Sequence, residues 1–214
     1  MSAPVPPRRI TAVEPDPSHP GAVRVLVDGR VYCVVPAEVA AAGGVRVGLV
    51  LDAALAERLG RAADAEAAFR AALRALERRS HARGELARRL VQRGHPREAV
   101  ESALDRAARL GLLDDAAFAL HYVAVRADRG KGPARVRQDL LRLGVDRSVV
   151  ERAIAEHWPE GSDLRSVSLA LARKRAQQLG DLPSPVKRRR LLAYLARRGF
   201  AGREALDAVR AVLR

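Results

Sequence analysis

The chain has 214 residues, 48% of them hydrophobic but only 3% aromatic, which excludes wholesale disorder and predicts a core of Leu, Val and Ala. Its formal net charge of +14 points to a polyanion, or to a partner already wrapped around one. A single cysteine, Cys33, excludes a disulfide framework, and no apolar run approaches the roughly 18 residues that a membrane helix needs.

The Pro-rich start, Met1 to Pro7, has no cationic stretch leading into an apolar one, so no secretory signal is expected and the cytoplasm is the predicted compartment. Strands come next. Ile10 to Val13 is a short apolar-rich run closed by the breakers between Pro15 and Pro20. Val23, Val25 and Val27 alternate with Ala22, Arg24 and Leu26, and Asp28-Gly29 is a hairpin turn signal. The return strand, Val31 to Val35, ends at Pro36, which opens a short helix over Ala37 to Ala42, stopped by Gly43-Gly44. Val45 to Leu51 reads as a further extended piece. Residues 1–62 thus form a small β-containing module, nearly neutral with 7 basic and 6 acidic residues.

From residue 63 the composition shifts to Ala, Leu, Arg and Glu, all strong helix formers, and 32 basic residues face 19 acidic ones. The pattern repeats around Gly94, Gly144 and Gly199. Before them lie the pairs Leu86/Leu90, Val136/Leu140 and Leu191/Leu195; after them lie Val100/Leu104, Val150/Ile154 and Ala205/Val209. Spacing of four puts each pair on one helical face, and each glycine stands where a helix end takes a left-handed residue. Further helices are predicted over Ala65–Arg79, Asp115–Arg129 and Leu164–Leu179. His95-Pro96, Asp146 and Gly202 mark helix starts, as do Asp114, Gly132-Pro133 and Ser184-Pro185. The fold class is therefore mainly α. Three tandem three-helix repeats, at 63–112, 113–160 and 161–214, stack into an elongated curved array because no triplet has enough apolar surface to stand alone. An open-ended array is expected as a monomer.

Two basic clusters stand out. Arg126, Arg129, Lys131, Arg135, Arg137 and Arg142 fall around one helix junction, with Arg135 and Arg142 sharing an outer face. Lys187, Arg188, Arg189 and Arg190 with Arg197 and Arg198 form the densest run, and Arg190, Tyr194 and Arg197 fall near one face. Arginine suits phosphate and carboxylate because its planar fork binds two oxygens at once. The plain alternative is a solvated helix face. Tyr194 either stacks on a base or enters a protein groove, or it sits half-buried with only its hydroxyl wet.

Chemistry-bearing patterns are otherwise sparse. Asp114 and Asp115 lie at a helix start, where carboxylates cap amides rather than act as acid and base. Phe118, His121, Tyr122 and Val125 read as core-facing packing. The five histidines, at 19, 81, 95, 121 and 157, have no paired metal-ligand spacing, and no nucleophile elbow or phosphate-cradling loop occurs. Cys33, in a predicted strand, reads as an inert buried thiol. Neither enzyme activity nor a cofactor is expected.

Several of these motifs resemble one family. Arg79-Ser80, Glu85-Leu86 through Leu90, then Gly111 to Asp115 and Phe118 resemble the first repeat of the RecX family. Gly130 to Leu140, including Gly132-Pro133 and ending at Gly144-Val145, is similar to that family's central repeat. Leu191 to Val209 is a looser third repeat around Gly199. One departure stands out: Ala82 occupies a helix-cap position that is usually Ser or Thr in the family, and Gly84 follows it. The resemblance implies a non-enzymatic regulator that binds the RecA–DNA filament and suppresses its ATPase, strand exchange and co-protease activity, so modulating recombination and the SOS response. Contact with single- or double-stranded DNA would then be weak and not sequence-specific. The alternatives are a direct DNA-binding helical regulator, marked by salt-steep and sequence-selective duplex binding, and a helical-repeat scaffold for another acidic protein.

Overall fold

The computed structural model describes residues 7–214, so the Pro-rich start lies outside the described residues except for Pro7. Strands β1 (Ile10–Pro15), β2 (Ala22–Val27) and β3 (Arg30–Pro36) form an antiparallel sheet in the order β1-β2-β3. Asp28 and Gly29 both take positive φ, 52° and 75°, the turn whose twist matches that of the two strands it joins. β1 runs two residues further than its apolar stretch, to Pro15, because pairing with Val23 continues the ladder at an edge that tolerates proline. Pro36 precedes α1 (Ala37–Ala42), as its fixed φ favours. The 45–51 stretch gives one bridge, Arg9 to Val50, rather than a fourth strand.

The largest departure from expectation is α2, which spans Ala53–Leu76 instead of starting at Ala65. Asp52 starts it, its carboxylate accepting the N–H of Leu55 at 2.7 Å. Gly60 does not interrupt it, since one mid-helix glycine costs only about 1 kcal/mol. Position 62 therefore falls inside a continuous helix. Its first half packs Leu55 and Leu59 onto Ile10, Val25, Val27 and Val35 of the sheet. Its second half packs Phe69, Ala72 and Ala75 against Leu86, Leu90, Val100 and Leu104. One helix thus serves two cores, which is how a module of three strands acquires enough apolar surface to be stable.

Nine helices, α2 to α10, make three three-helix repeats among the described residues. α3 (Arg83–Gln92) and α4 (Arg97–Arg109) complete the first, and α5 (Asp115–Asp128), α6 (Pro133–Leu143) and α7 (Arg147–His157) form the second. α8 (Leu164–Gln177), α9 (Ser184–Arg198) and α10 (Arg203–Leu213) form the third. By packing, residues up to Ser80 together with Leu86–Leu113 make one compact unit, and His81–Glu85 with Asp114–Arg214 make another.

In the first unit a buried ionic chain underlies α2. Glu66, 7% exposed, binds Arg70 at 2.9 Å and Arg106 of α4 at 2.9 Å. Arg70 lies 3.4 Å from Asp16 of the β1–β2 loop, and Arg106 covers the Phe69 ring at 4.2 Å. The Asp16 carboxyl is held below its ordinary value, chiefly by the N–H of Ser18 and also by His19 and Arg70. Burial pushes the Cys33 thiol of β3 up to about 11; the side chain is partly rather than fully buried.

In the second unit the core of the middle repeat gathers Phe118, Val123, Val136, Leu140, Val150 and Ile154. That of the last gathers Ala172, Leu191, Leu195, Phe200 and Val209. His121, expected to face the core, is exposed, and Val123 is buried in its stead. The apolar stripe runs through Phe118, Ala119 and Val123, and His121 lies about 160° round the helix from Ala119 at roughly 100° per residue, and so off the stripe.

Candidate functional site

Most of the structural positions singled out by motif and spacing act at helix ends. Asp114 accepts the N–H groups of Ala116 and Ala117 at 2.8 and 3.0 Å, capping α5 as its position predicts. Asp146 likewise caps α7 through Ser148 N–H, and the hydroxyl of Ser148 holds its carboxyl below the usual range. Pro96 stands at the cap of α4 with no side-chain acceptor, and Gly202 does the same for α10. Glu85 reaches back to Nδ1 of the buried His81 at 3.0 Å, and Leu86 is fully buried. Gly94, Gly144 and Gly199 all close helices in the left-handed region, at φ 91°, 86° and 94°.

Two of those glycines have a second role that no spacing reveals. A Cβ on Gly144 would lie 2.9 Å from Cα of Gly84, in the first turn of α3. One on Gly199 would run into the backbone of Arg135 and lie 2.7 Å from the carbonyl of Gly132. Gly132 N–H in turn donates to the carbonyl of Arg198 at 2.7 Å, so the start of α6 and the end of α9 touch backbone to backbone.

The central basic cluster is largely engaged already. Arg137 of α6 makes a two-pronged pair with Glu151 of α7, at 2.8 and 3.0 Å. The pair holds Glu151 below, and Arg137 above, the ordinary values. Arg135 is bound to Asp139 one turn on, at 3.1 Å. Arg126 lies over the Tyr122 ring at 4.7 Å. Lys131 is half-buried, while Arg129 and Arg142 are exposed. The six residues thus do not form one bare cationic patch.

The third repeat differs. Lys187, Arg188, Arg189, Arg190 and Arg197 have no ion-pair partner among the described residues, and all but Lys187 are exposed. The reason is a shortage of acid: residues 161–214 hold 13 basic and 4 acidic side chains. Asp163 caps α8, Glu204 accepts Gly202 N–H, and Asp207 lies near Arg203 and Arg210 at 3.9 and 3.8 Å. Tyr194 is half-buried between two guanidiniums, Arg175 at 5.7 Å and Arg198 at 5.0 Å.

Arg198 is the residue that sequence reasoning missed as a site. Its Nη1 donates to the carbonyls of Arg129 and Gly130 at 3.1 and 3.2 Å, tying the third repeat to the second. Nothing in the sequence distinguishes it from Arg197. No group of three His, Cys, Asp or Glu among the described residues is placed to hold a metal ion. No helix there is long and apolar enough to cross a membrane.

Tandem three-helix units with glycine-closed helices and a cationic third repeat define a class of basic helical-repeat proteins. Comparison identifies the family. Residues 68–106 match the family model of the RecX first three-helix domain, and residues 114–154 match that of the second. The Regulatory protein RecX of Pseudomonas syringae pv. tomato is 40% identical over 135 residues, covering 61% of this chain and 82% of that protein. That of Halorhodospira halophila is 38% identical over 152 residues, covering 70% and 88%. A crystal structure of regulatory protein RecX superposes over 95% of this chain and 99% of that one, with a TM-score of 0.76 at 22% identity. The RecX of Lactobacillus salivarius gives a TM-score of 0.59 over 70% of this chain and 96% of that one, at 19% identity. The chain belongs to the RecX family of regulatory proteins.

Proposed function

We propose that this protein binds the RecA–DNA filament and restrains it, lowering its ATP turnover, strand exchange and co-protease activity and so modulating recombination and the SOS response. It acts by binding, as a monomer in the cytoplasm, with no chemistry of its own. The observation that carries this reading is family membership over both matched domains. The charge distribution supports it, because a row of exposed arginines without ion-pair partners among the described residues is suited to the field of a nucleoprotein filament. Both basic clusters contribute contacts: Arg126, Arg129, Lys131, Arg135, Arg137 and Arg142 in the middle repeat, and Lys187, Arg188, Arg190, Tyr194 and Arg197 in the last. The α9 arginines contribute more, since they give up no internal ion pair on binding. Affinity for naked DNA is weak and insensitive to sequence.

The test is ATP turnover by the cognate RecA on single-stranded DNA, titrated with this protein at physiological salt. Loss of turnover well below one copy per RecA supports control at the level of the filament. Unchanged turnover at excess protein, with the DNA still accessible to RecA, overturns the reading.

A further inference from the structure

The third repeat carries a groove between α9 and α10. Two adjoining depressions, of 320 and 580 Å³, lie between the first half of α9 and the last turns of α10 and share Arg188 and Leu213. Arg210 and Arg214 stand at one, and Arg189 at the other. Val209 and Leu192 complete the apolar lining. All four arginines are exposed, and among the described residues only Arg210 has a side-chain carboxylate within 4 Å, Asp207 at the long distance of 3.8 Å. The depression at Arg189 thus has an apolar floor of Leu192 and Leu213, and the adjoining one, with Arg210 and Arg214, is mainly cationic.

We infer that this α9–α10 groove docks an acidic peptide segment that carries one bulky apolar side chain. The charge selects an anion, and the floor selects the kind. Leu192 and Leu213, both partly exposed, gain by covering with a hydrocarbon side chain, which a phosphodiester backbone lacks. Single-stranded nucleic acid would instead bring bases, and bases are held by aromatic stacking platforms. The residues lining the groove include no aromatic side chain, and Tyr194 of α9 is not among them. Guanidiniums on the rim pair with carboxylates two oxygens at a time, which fixes the register of the peptide.

The inference stands apart from the filament reading, because its test contains neither recombinase nor ATP. A short fluorescent peptide rich in Asp and Glu, with one central Leu, is titrated with the full-length protein at physiological salt and followed by anisotropy. A second peptide replaces that Leu with Ser, and an oligothymidylate of equal charge serves as competitor. Saturable binding that weakens roughly tenfold on the Leu-to-Ser change supports the inference. So does a similar loss in the double variant Arg188→Glu, Arg210→Glu, given an unchanged melting curve. Equal binding of the two peptides to the unmodified protein overturns it, and that comparison is independent of whether the variant folds. Displacement of the peptide by oligothymidylate at equal concentration also overturns it, marking the groove as a nucleic-acid surface.

Discussion

Oδ1 of Asp115 accepts the backbone N–H of Arg83 at 2.7 Å, so the first turn of α3 is capped by the residue that opens α5. This resolves the absence of a capping side chain at Ala82, which is fully buried and has no oxygen to offer. Two adjacent carboxylates cap two different helices: Asp114 its own, and Asp115 one 32 residues earlier. Asp115→Ala is expected to destabilise the protein by about 1 kcal/mol, the usual worth of a cap, and Asp115→Asn by less because it keeps an acceptor. Thermal unfolding of both variants checks this; equal losses would show that charge rather than acceptance matters.

Alanine at the three helix-closing glycines should produce a graded series. Gly94 has open space around its Cβ direction, so Gly94→Ala bears only the left-handed penalty of about 1–2 kcal/mol. Gly144→Ala adds a collision with Gly84, and Gly199→Ala collides with backbone of both Gly132 and Arg135. Those two should lose roughly a further 1–3 kcal/mol, with Gly199→Ala the worse. Denaturant titration gives the order, and three equal losses would mean that the backbone contacts relax freely.

Removing Glu66 leaves Arg70 and Arg106 without their shared carboxylate, in a place where Arg70 is only 15% exposed. Glu66→Ala is expected to cost about 1–3 kcal/mol, since Arg70 keeps only Asp16, at 3.4 Å, and Arg106 loses its buried partner. Glu57→Ala, which removes an exposed partner of Arg61, should change stability by less than about 1 kcal/mol. The contrast, measured by chemical unfolding, separates the buried network from surface pairing.

Acid should weaken the α6–α7 contact in a defined direction. Glu151 titrates lower in the folded protein than in the unfolded chain because Arg137 grips its ionised form. Its contribution is therefore complete above the ordinary glutamate value of 4.5 and is lost as pH falls through the lower folded value. Both side chains are partly exposed, so the effect stays within about 1 kcal/mol. Glu151→Gln should flatten stability over that window. An unchanged acid slope would place the pH dependence elsewhere, with Asp16, Asp146 and Asp163 the other lowered carboxyls.

Cys33 should react slowly. With its thiol raised to about 11, the thiolate is scarce at neutral pH, and the side chain is partly covered in β3. Alkylation of the native protein is expected to be at least tenfold slower than in denaturant. Equal rates would mean that the sheet opens readily.

Much of this molecule is local and hence legible in the chain alone. The hairpin at Asp28-Gly29, the caps at Asp114 and Asp146, the left-handed ends at Gly144 and Gly199, and the faces of Leu86/Leu90 and Leu191/Leu195 all depend on neighbours a few residues away. Those interactions have a fixed spacing, so the residues announce them. Tertiary structure decided what depends on distant partners. It extended α2 back to Ala53, because Leu55 and Leu59 had a sheet to cover. It gave Asp115 to Arg83, and it set Gly199 against Gly132. It also separated arginines that look alike in sequence: Arg137 is spent on Glu151, Arg198 on the carbonyls of Arg129 and Gly130, while Arg188 and Arg190 have no such partners among the described residues. A guanidinium has the same charge wherever it lies, but its availability is set by which acceptors the fold brings within reach.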